Sequence, residues 1–252
     1  MTILQSIFLG LLQGFTEFLP VSSSGHLFLA QKLFDIDADL FFDVTLHVGT
    51  LAAVAVSMRK TLWHMIRHPV ADVRVRYLLL ASVPTFVIAL VVELLISESL
   101  MYKLLPVGFA VTIVLIVLSD KLTNPSLRLQ QTGFLPSLIT GVAQGVAVFP
   151  GLSRSGATIS TMKFFGVNSS DAAEFSFLLS VPVIVGGAVV EGYKAFRLGV
   201  TINWACVSVG TFCAFLAGIA SVYTVMRAIK KKKWSWFALY LVIPLTLSLI
   251  TL

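Results

Sequence analysis

The chain has 252 residues, 57% of them hydrophobic and only 12% charged, with a formal net charge of +6. One soluble core of this length cannot hide that much apolar surface, so the bilayer is its main solvent. The basic residues sit in short loops between apolar runs, which is the pattern of membrane orientation, and no nucleic-acid partner is implied.

Unpaired backbone groups are costly in hydrocarbon, and the apolar runs are continuous rather than alternating, so the spans are helices. Residues 1 to 30 are apolar but break at Pro20 and the serines that follow, leaving two pieces too short to cross. They predict a re-entrant helix pair. The segment lacks a basic n-region, and Gln13, Glu17 and Pro20 interrupt it, so it is not read as a signal peptide. Spans follow at Leu40 to Met58, Tyr77 to Ile96 and Leu104 to Ser119. Residues 132 to 168 form a second broken region, a second re-entrant pair, before spans at Phe175 to Val190, Trp204 to Met226 and Ser235 to Leu252. The expected fold is an all-α polytopic membrane protein, with six transmembrane helices and two re-entrant pairs in one membrane domain over 1–252.

Three loops hold twelve Lys or Arg: Arg59, Lys60, Arg67, Arg74 and Arg76; Lys121 and Arg128; Arg227 and Lys230 to Lys233. These are expected inside the cell. The loops 31 to 43, 97 to 103 and 191 to 203 hold four and are expected outside, with both termini. The run Lys230 to Lys233 reads as an orientation anchor, with Trp234 and Trp236 at the interface, rather than a headgroup sensor. Cys206 and Cys213 read as small core residues.

At a constant offset of 131, Gly10, Gln13, Gly14, Ser22, Ser24 and Gly25 meet Gly141, Gln144, Gly145, Ser153, Ser155 and Gly156. Asp43 likewise meets Glu174. Repeat one covers about 1–121 and repeat two about 132–252. An odd number of spans separates them, so they form an inverted-topology repeat with its site near the midplane, where the two tips face each other.

The copies differ where chemistry is done. One tip carries Glu17, Ser22, Ser23, Ser24 and His26; the other has Val148, Ser153, Arg154, Ser155 and Ala157 in their places. Arg154 at membrane depth needs an anionic partner, and with Ser153, Ser155 and the flanking Gly151 and Gly156 it suits phosphate oxygens. The alternative is a structural salt bridge to Glu17 or Glu174. Gln13 and Glu17 share a helix face and suit a hard divalent cation; an interhelical hydrogen bond is the plainer reading. His26 is a candidate nucleophile or proton donor, and Ser23 is the rival nucleophile. Asp43 and Glu174 start their spans and are read as supporting the tips. His47 shares a face with Asp43, but its repeat partner is Leu178, so it is a weak candidate. Gly186, Gly187 and the small residues from Gly210 to Ala220 read as close helix packing.

On these residues the chain resembles the undecaprenyl-diphosphate phosphatase family, the bacitracin-resistance type of bacterial membrane phosphatase. The family's (E/Q)xxxE motif falls on Gln13 and Glu17. Its Pro-Val-Ser-Ser-x-Gly-His run falls on Pro20 to His26, and PGxSRSxxT falls on Pro150, Gly151, Ser153, Arg154, Ser155 and Thr158. The stretch Ala172 to Pro182 is also typical. The resemblance implies hydrolysis of undecaprenyl diphosphate to the monophosphate, recycling the lipid carrier for cell-wall synthesis and conferring bacitracin resistance. It also implies a Mg2+ or Ca2+ cofactor, a site at the outer face of the cytoplasmic membrane, and a homodimer. Gln13 stands where some members carry Glu, one charge fewer for a metal. The rival is an inverted-repeat transporter or flippase of a polyprenyl phosphate, which needs only a binding clamp; the unequal tips favour chemistry.

Overall fold

A computed structural model describes residues 1–36, 40–198, 202–231 and 233–252. Residues 37–39 and 199–201, in two loops expected outside, and Lys232 of the basic run lie outside the described residues. The described chain is helical: α1 Ile3–Phe18, α2 Ser23–Leu33, α3 Leu40–Ser57, α4 Arg59–Arg67, α5 Val73–Leu95 and α6 Glu98–Lys103. A 3₁₀ turn at Leu129–Gln131 separates α7 Leu105–Lys121 from α8 Leu135–Val146, and α9 Arg154–Phe164, α10 Ser169–Leu198, α11 Trp204–Lys230 and α12 Trp236–Thr251 complete the chain.

Local chemistry starts these helices where they start. Thr2 and Gln5 form a capping box on α1, with Thr2 N–H donating to Gln5 Oε1 at 2.7 Å. Asp72 caps α5 and Asn203 caps α11, while α7 and α8 carry a proline in their first turn. α2, α5, α7 and their counterparts α9, α11 and α12 begin 131 residues apart, at Ser23 and Arg154, Val73 and Trp204, Leu105 and Trp236.

α5, α10 and α11 are long and apolar enough to cross a bilayer; α3 and α4 reach that length only together, bent by 78° at their break. α7 and α12, with 17 and 16 residues, fall short of the roughly 20 that a full crossing takes. α10 runs well beyond the expected Phe175 to Val190 at both ends, because its polar turns favour helix while lowering hydropathy. α4, α6 and the 3₁₀ turn were not expected from hydropathy for the same reason.

The most extensive seams join the two halves of the sequence: α11 lies along α1 and α3, and α8 along α5. The α1–α11 and α8–α5 seams need glycine. A Cβ on Gly10 would stand 2.3 Å from the Gly210 carbonyl oxygen, and one on Gly141 would stand 2.1 Å from that of Ala81. One buried cluster runs from Phe18 and Val21 through Phe109 and Phe177 to Leu241, drawing on both halves. Leu79, Val83, Leu94, Val189 and Leu239 instead point outward, a surface suited to lipid.

Candidate active site

Two broken helix pairs, α1–α2 and α8–α9, meet at their bends. Ser22 caps α2 by accepting from Gly25 N–H at 3.4 Å, and Ser153 caps α9 by accepting from Gly156 N–H at 3.1 Å. Ser22 and Ser24 hydroxyls lie 3.4 Å apart, and those of Ser153 and Ser155 3.3 Å apart, so the SxSG sequences build the same turn twice. The backbones differ within the turn: Ser22 has φ +68°, a conformation costly for a side-chain-bearing residue, where Ser153 has φ −70°, and Gly151 has φ +83° where its counterpart is Pro20. The tips touch through Ser155 Oγ, which donates to the Leu19 carbonyl at 2.9 Å.

Glu17, in the last turn of α1, is the hub. Its Oε2 accepts from Gln13 Nε2 at 2.8 Å and from Ser23 Oγ at 2.7 Å, and lies 3.5 Å from His47 Nε2. Its Oε1 accepts from the Arg154 guanidinium at the start of α9. A carboxylate buried this deeply persists only with such partners. Of the two salt bridges open to Arg154, the structure forms the one to Glu17, while another N–H of the guanidinium donates to the Ser176 carbonyl at 3.4 Å.

Glu17, Arg154, Ser22, Ser23, Ser24 and Ser153 line one cavity of about 590 Å³. Gln13 and Ser155 adjoin it through Glu17 and Ser153, and the remaining expected site residues lie elsewhere. His26 turns away from it: Nδ1 lies 2.7 Å from the Ser22 carbonyl and Nε2 2.9 Å from Tyr240 Oη. A carbonyl only accepts, so Nδ1 carries the proton and Nε2 accepts from the Tyr240 hydroxyl. The ring also stacks on Tyr240. Gly151, at φ +83°, packs against α7, where a Cβ would stand 2.2 Å from the Leu105 carbonyl oxygen, and its own carbonyl accepts from Thr112 Oγ1 at 3.1 Å. Thr158 bonds Ser176 Oγ at 2.6 Å and holds α9 to α10. Asp43 accepts twice from Gln31 Nε2, at 2.9 and 3.0 Å, which ties α2 to α3. Glu174 is remote from the tips; Arg74 Nη1 at 2.9 Å and Thr61 Oγ1 at 3.2 Å bind it to α5 and α4.

The cavity also holds His47, a weak candidate in the sequence, and two residues not expected at the site, Gln144 and Gly187. His47, discounted because its repeat partner is Leu178, reaches Glu17: its Nδ1 lies 2.9 Å from the Asp43 carbonyl, which fixes the ring, and its Nε2 lies 3.5 Å from the carboxylate. The i, i+4 spacing from Asp43 was the available signal. Gln144, the repeat partner of Gln13, lines the cavity with Nε2 on the Leu179 carbonyl at 3.3 Å. Gly187, expected in tight packing, faces open space, with nothing within 4 Å of where its Cβ would be.

The model of the family described as "Bacitracin resistance protein BacA" matches residues 6–245. The chain belongs to the BacA family. Among its BacA-like relatives, a protein of Carboxydothermus hydrogenoformans named undecaprenyl-diphosphatase is 38% identical over 94% of this chain and 92% of its own length. One of Halothermothrix orenii with the same name is 38% identical over 95% and 94%. One of Treponema denticola, again so named, is 36% identical over 99% and 97%. BacA membership and the apolar helices together make this a membrane protein.

The BacA-family site also bears on a divalent cation. Among the described residues no three His, Cys, Asp or Glu side chains cluster as a metal cage. Gln13 Oε1, however, is buried with no hydrogen-bond partner, on the amide whose Nε2 meets Glu17. One carboxylate and one unsatisfied amide oxygen fit a hard cation that takes its remaining ligands from phosphate and water.

Proposed function

We propose that this chain hydrolyses undecaprenyl diphosphate to undecaprenyl phosphate and inorganic phosphate, as a membrane phosphatase that recycles a lipid carrier and thereby resists bacitracin. The observation that carries it is Ser23 Oγ donating to Glu17 Oε2 at 2.7 Å while Arg154 holds the other carboxylate oxygen, in a BacA-family chain. A carrier needs no hydroxyl poised on a carboxylate, so the transporter reading gains nothing from this geometry.

Arg154 has N–H groups to spare for the terminal phosphoryl group, whose charge its planar fork suits. The Ser24 and Ser153 hydroxyls line the same space. Ser23 Oγ attacks the terminal phosphorus and passes its proton to Glu17. The bond from phosphorus to the bridging oxygen breaks, and undecaprenyl phosphate leaves. Water then cleaves the Ser23 phosphoester, restoring the hydroxyl and releasing phosphate. Phosphoryl transfer is mostly positioning and charge neutralisation, which these groups supply. Glu17 and Gln13 would hold the Mg2+ or Ca2+ ion. When bound, such an ion neutralises charge on the phosphate oxygens. His26 supports the turn at Ser22 rather than reacting.

The same proposal places the chain in the bacterial cytoplasmic membrane as one domain of two inverted repeats, with six spans and two re-entrant pairs. The shared helix starts, the duplicated caps and the reciprocal α1–α11 and α8–α5 seams support this. The cavity extends to Glu93 near the end of α5, on the side expected outside, which favours access from the outer face. A homodimer belongs to this reading by resemblance alone.

Purified protein in detergent with Mg2+ or Ca2+ is expected to release phosphate from undecaprenyl diphosphate. No release, or release undiminished in Glu17→Ala and Arg154→Ala, would defeat the proposal.

A further inference from the structure

The α3–α11 and α10–α5 interfaces are equivalent at the offset of 131, yet only one is closed. α3 and α11 run backbone against backbone. A Cβ on Gly49 would stand 2.3 Å from the Thr211 carbonyl oxygen, and one on Gly218 would stand 2.8 Å from Ala53 Cβ. Small residues allow that approach. Gly49 and Ala53 of α3 in this seam correspond to Ser180 and Ile184 of α10, while Ala217 and Ser221 of α11, which pack on α1 at Gly14 and the Phe15 carbonyl, correspond to Phe86 and Leu90 of α5; the four larger counterparts all lie on the wall of the 590 Å³ cavity. The larger set holds α5 off α10, and the gap is continuous with the space in front of Glu17 and Arg154. Phe86 is the spacer: a Cβ on Gly186 would stand 3.0 Å from its ring. Gly187 leaves the floor open. Apolar side chains line the groove beyond the polar head, as far as Glu93, which pairs with Lys194 at 3.1 Å.

We infer that the groove between α5 and α10 seats the isoprenoid tail of the substrate, with Phe86 and Leu90 propping it open and Gly187 setting its depth. A molecule with a phosphate head and a flexible apolar chain matches a cavity that is cationic and hydroxylic at one end and apolar along its length. The inference rests on the polyprenyl-diphosphate reading of the site. It adds which of two related seams takes the tail and which residues decide that.

Two measurements on the full-length protein test it. Gly187→Leu fills the groove and is expected to lower kcat/KM for undecaprenyl diphosphate about tenfold or more, equivalent to roughly 1.4 kcal/mol. Val56→Leu, at the equivalent and exposed position on α3, is expected to leave it unchanged. Independently of turnover, a benzophenone-tagged undecaprenyl phosphate is expected to crosslink wild-type protein within 86–93 and 183–190. Crosslinks on the α3–α11 face, or a folded Gly187→Leu protein with unaltered kinetics, would overturn the groove. Crosslinks in the groove without phosphate release would keep the groove and sink the phosphatase reading. Should Gly187→Leu fail to fold, the wild-type crosslinking pattern decides.

Discussion

Glu17 carries four polar neighbours on two oxygens, so changes around it separate structure from chemistry. Glu17→Ala leaves the partly buried Arg154 without its counter-charge, which costs up to about 3 kcal/mol, and is expected to lower the melting temperature as well as activity. Ser23→Ala removes one hydroxyl at a cost near 1 kcal/mol. Its kcat is nonetheless expected to drop by about two to four orders of magnitude, with a melting curve close to wild type. An active Ser23→Ala protein would put the nucleophile elsewhere. Tyr240→Phe tests the placement of His26. Losing the hydroxyl that donates to Nε2 is expected to cost about 1 kcal/mol of stability and leave kcat within about twofold, whereas a catalytic His26 would register the loss in kcat.

Helix ends and helix seams make different demands on the chain. Gly10→Ala and Gly141→Ala each drive a methyl into a backbone carbonyl that cannot rotate away, and both are expected to destabilise by about 2 kcal/mol or more. Gly192→Ala, with nothing within 4 Å, is expected to be neutral or slightly stabilising in the same melting assay. At the start of α5, Asp72 takes three hydrogen bonds from the Arg74 guanidinium and one from the Arg74 N–H, and lies 2.8 Å from His64 Nδ1. The Arg74 bonds hold its carboxyl well below the usual carboxylate range, against the opposing effect of burial. A depressed folded pKa contributes stability that is complete above the unfolded value, near pH 4, and fades as pH falls below it. Melting temperature should therefore fall more steeply below about pH 4 in wild type than in Asp72→Asn, which lacks this contribution at every pH.

Across the molecule, the proposed inversion makes a prediction about sidedness. A reporter fused after His68, between α4 and α5, is expected on the cytoplasmic side, and one fused within 97–103 on the outer side. Identical sidedness at the two points would remove a crossing by α5 and with it the inverted arrangement. The reciprocal seams give the architecture its physical logic. Each arm of a broken pair is shorter than the roughly 20 residues a full crossing takes, and the first arm of each lies along a long helix of the other half, so neither half buries its tip unaided. The tips are thereby pressed together, which brings Glu17 of one to Arg154 of the other.

Much of this was legible in the chain itself. Apolar runs, Pro-Ser-Gly breaks and basic loops depend on local composition, so they locate most helices, both bends and the membrane class. The offset of 131 marks the tips, and their unequal residues mark Glu17, Ser23 and Arg154. Spacing along a chain does not say which way a side chain turns or which distant helix it meets. Only tertiary packing turned His26 toward Tyr240, brought His47 to Glu17, spent Thr158 and Gly151 on helix contacts and sent Glu174 to Arg74. The difference between the closed α3–α11 seam and the open α5–α10 groove was likewise decided there, because it depends on which small and large residues face each other across two helices far apart in sequence.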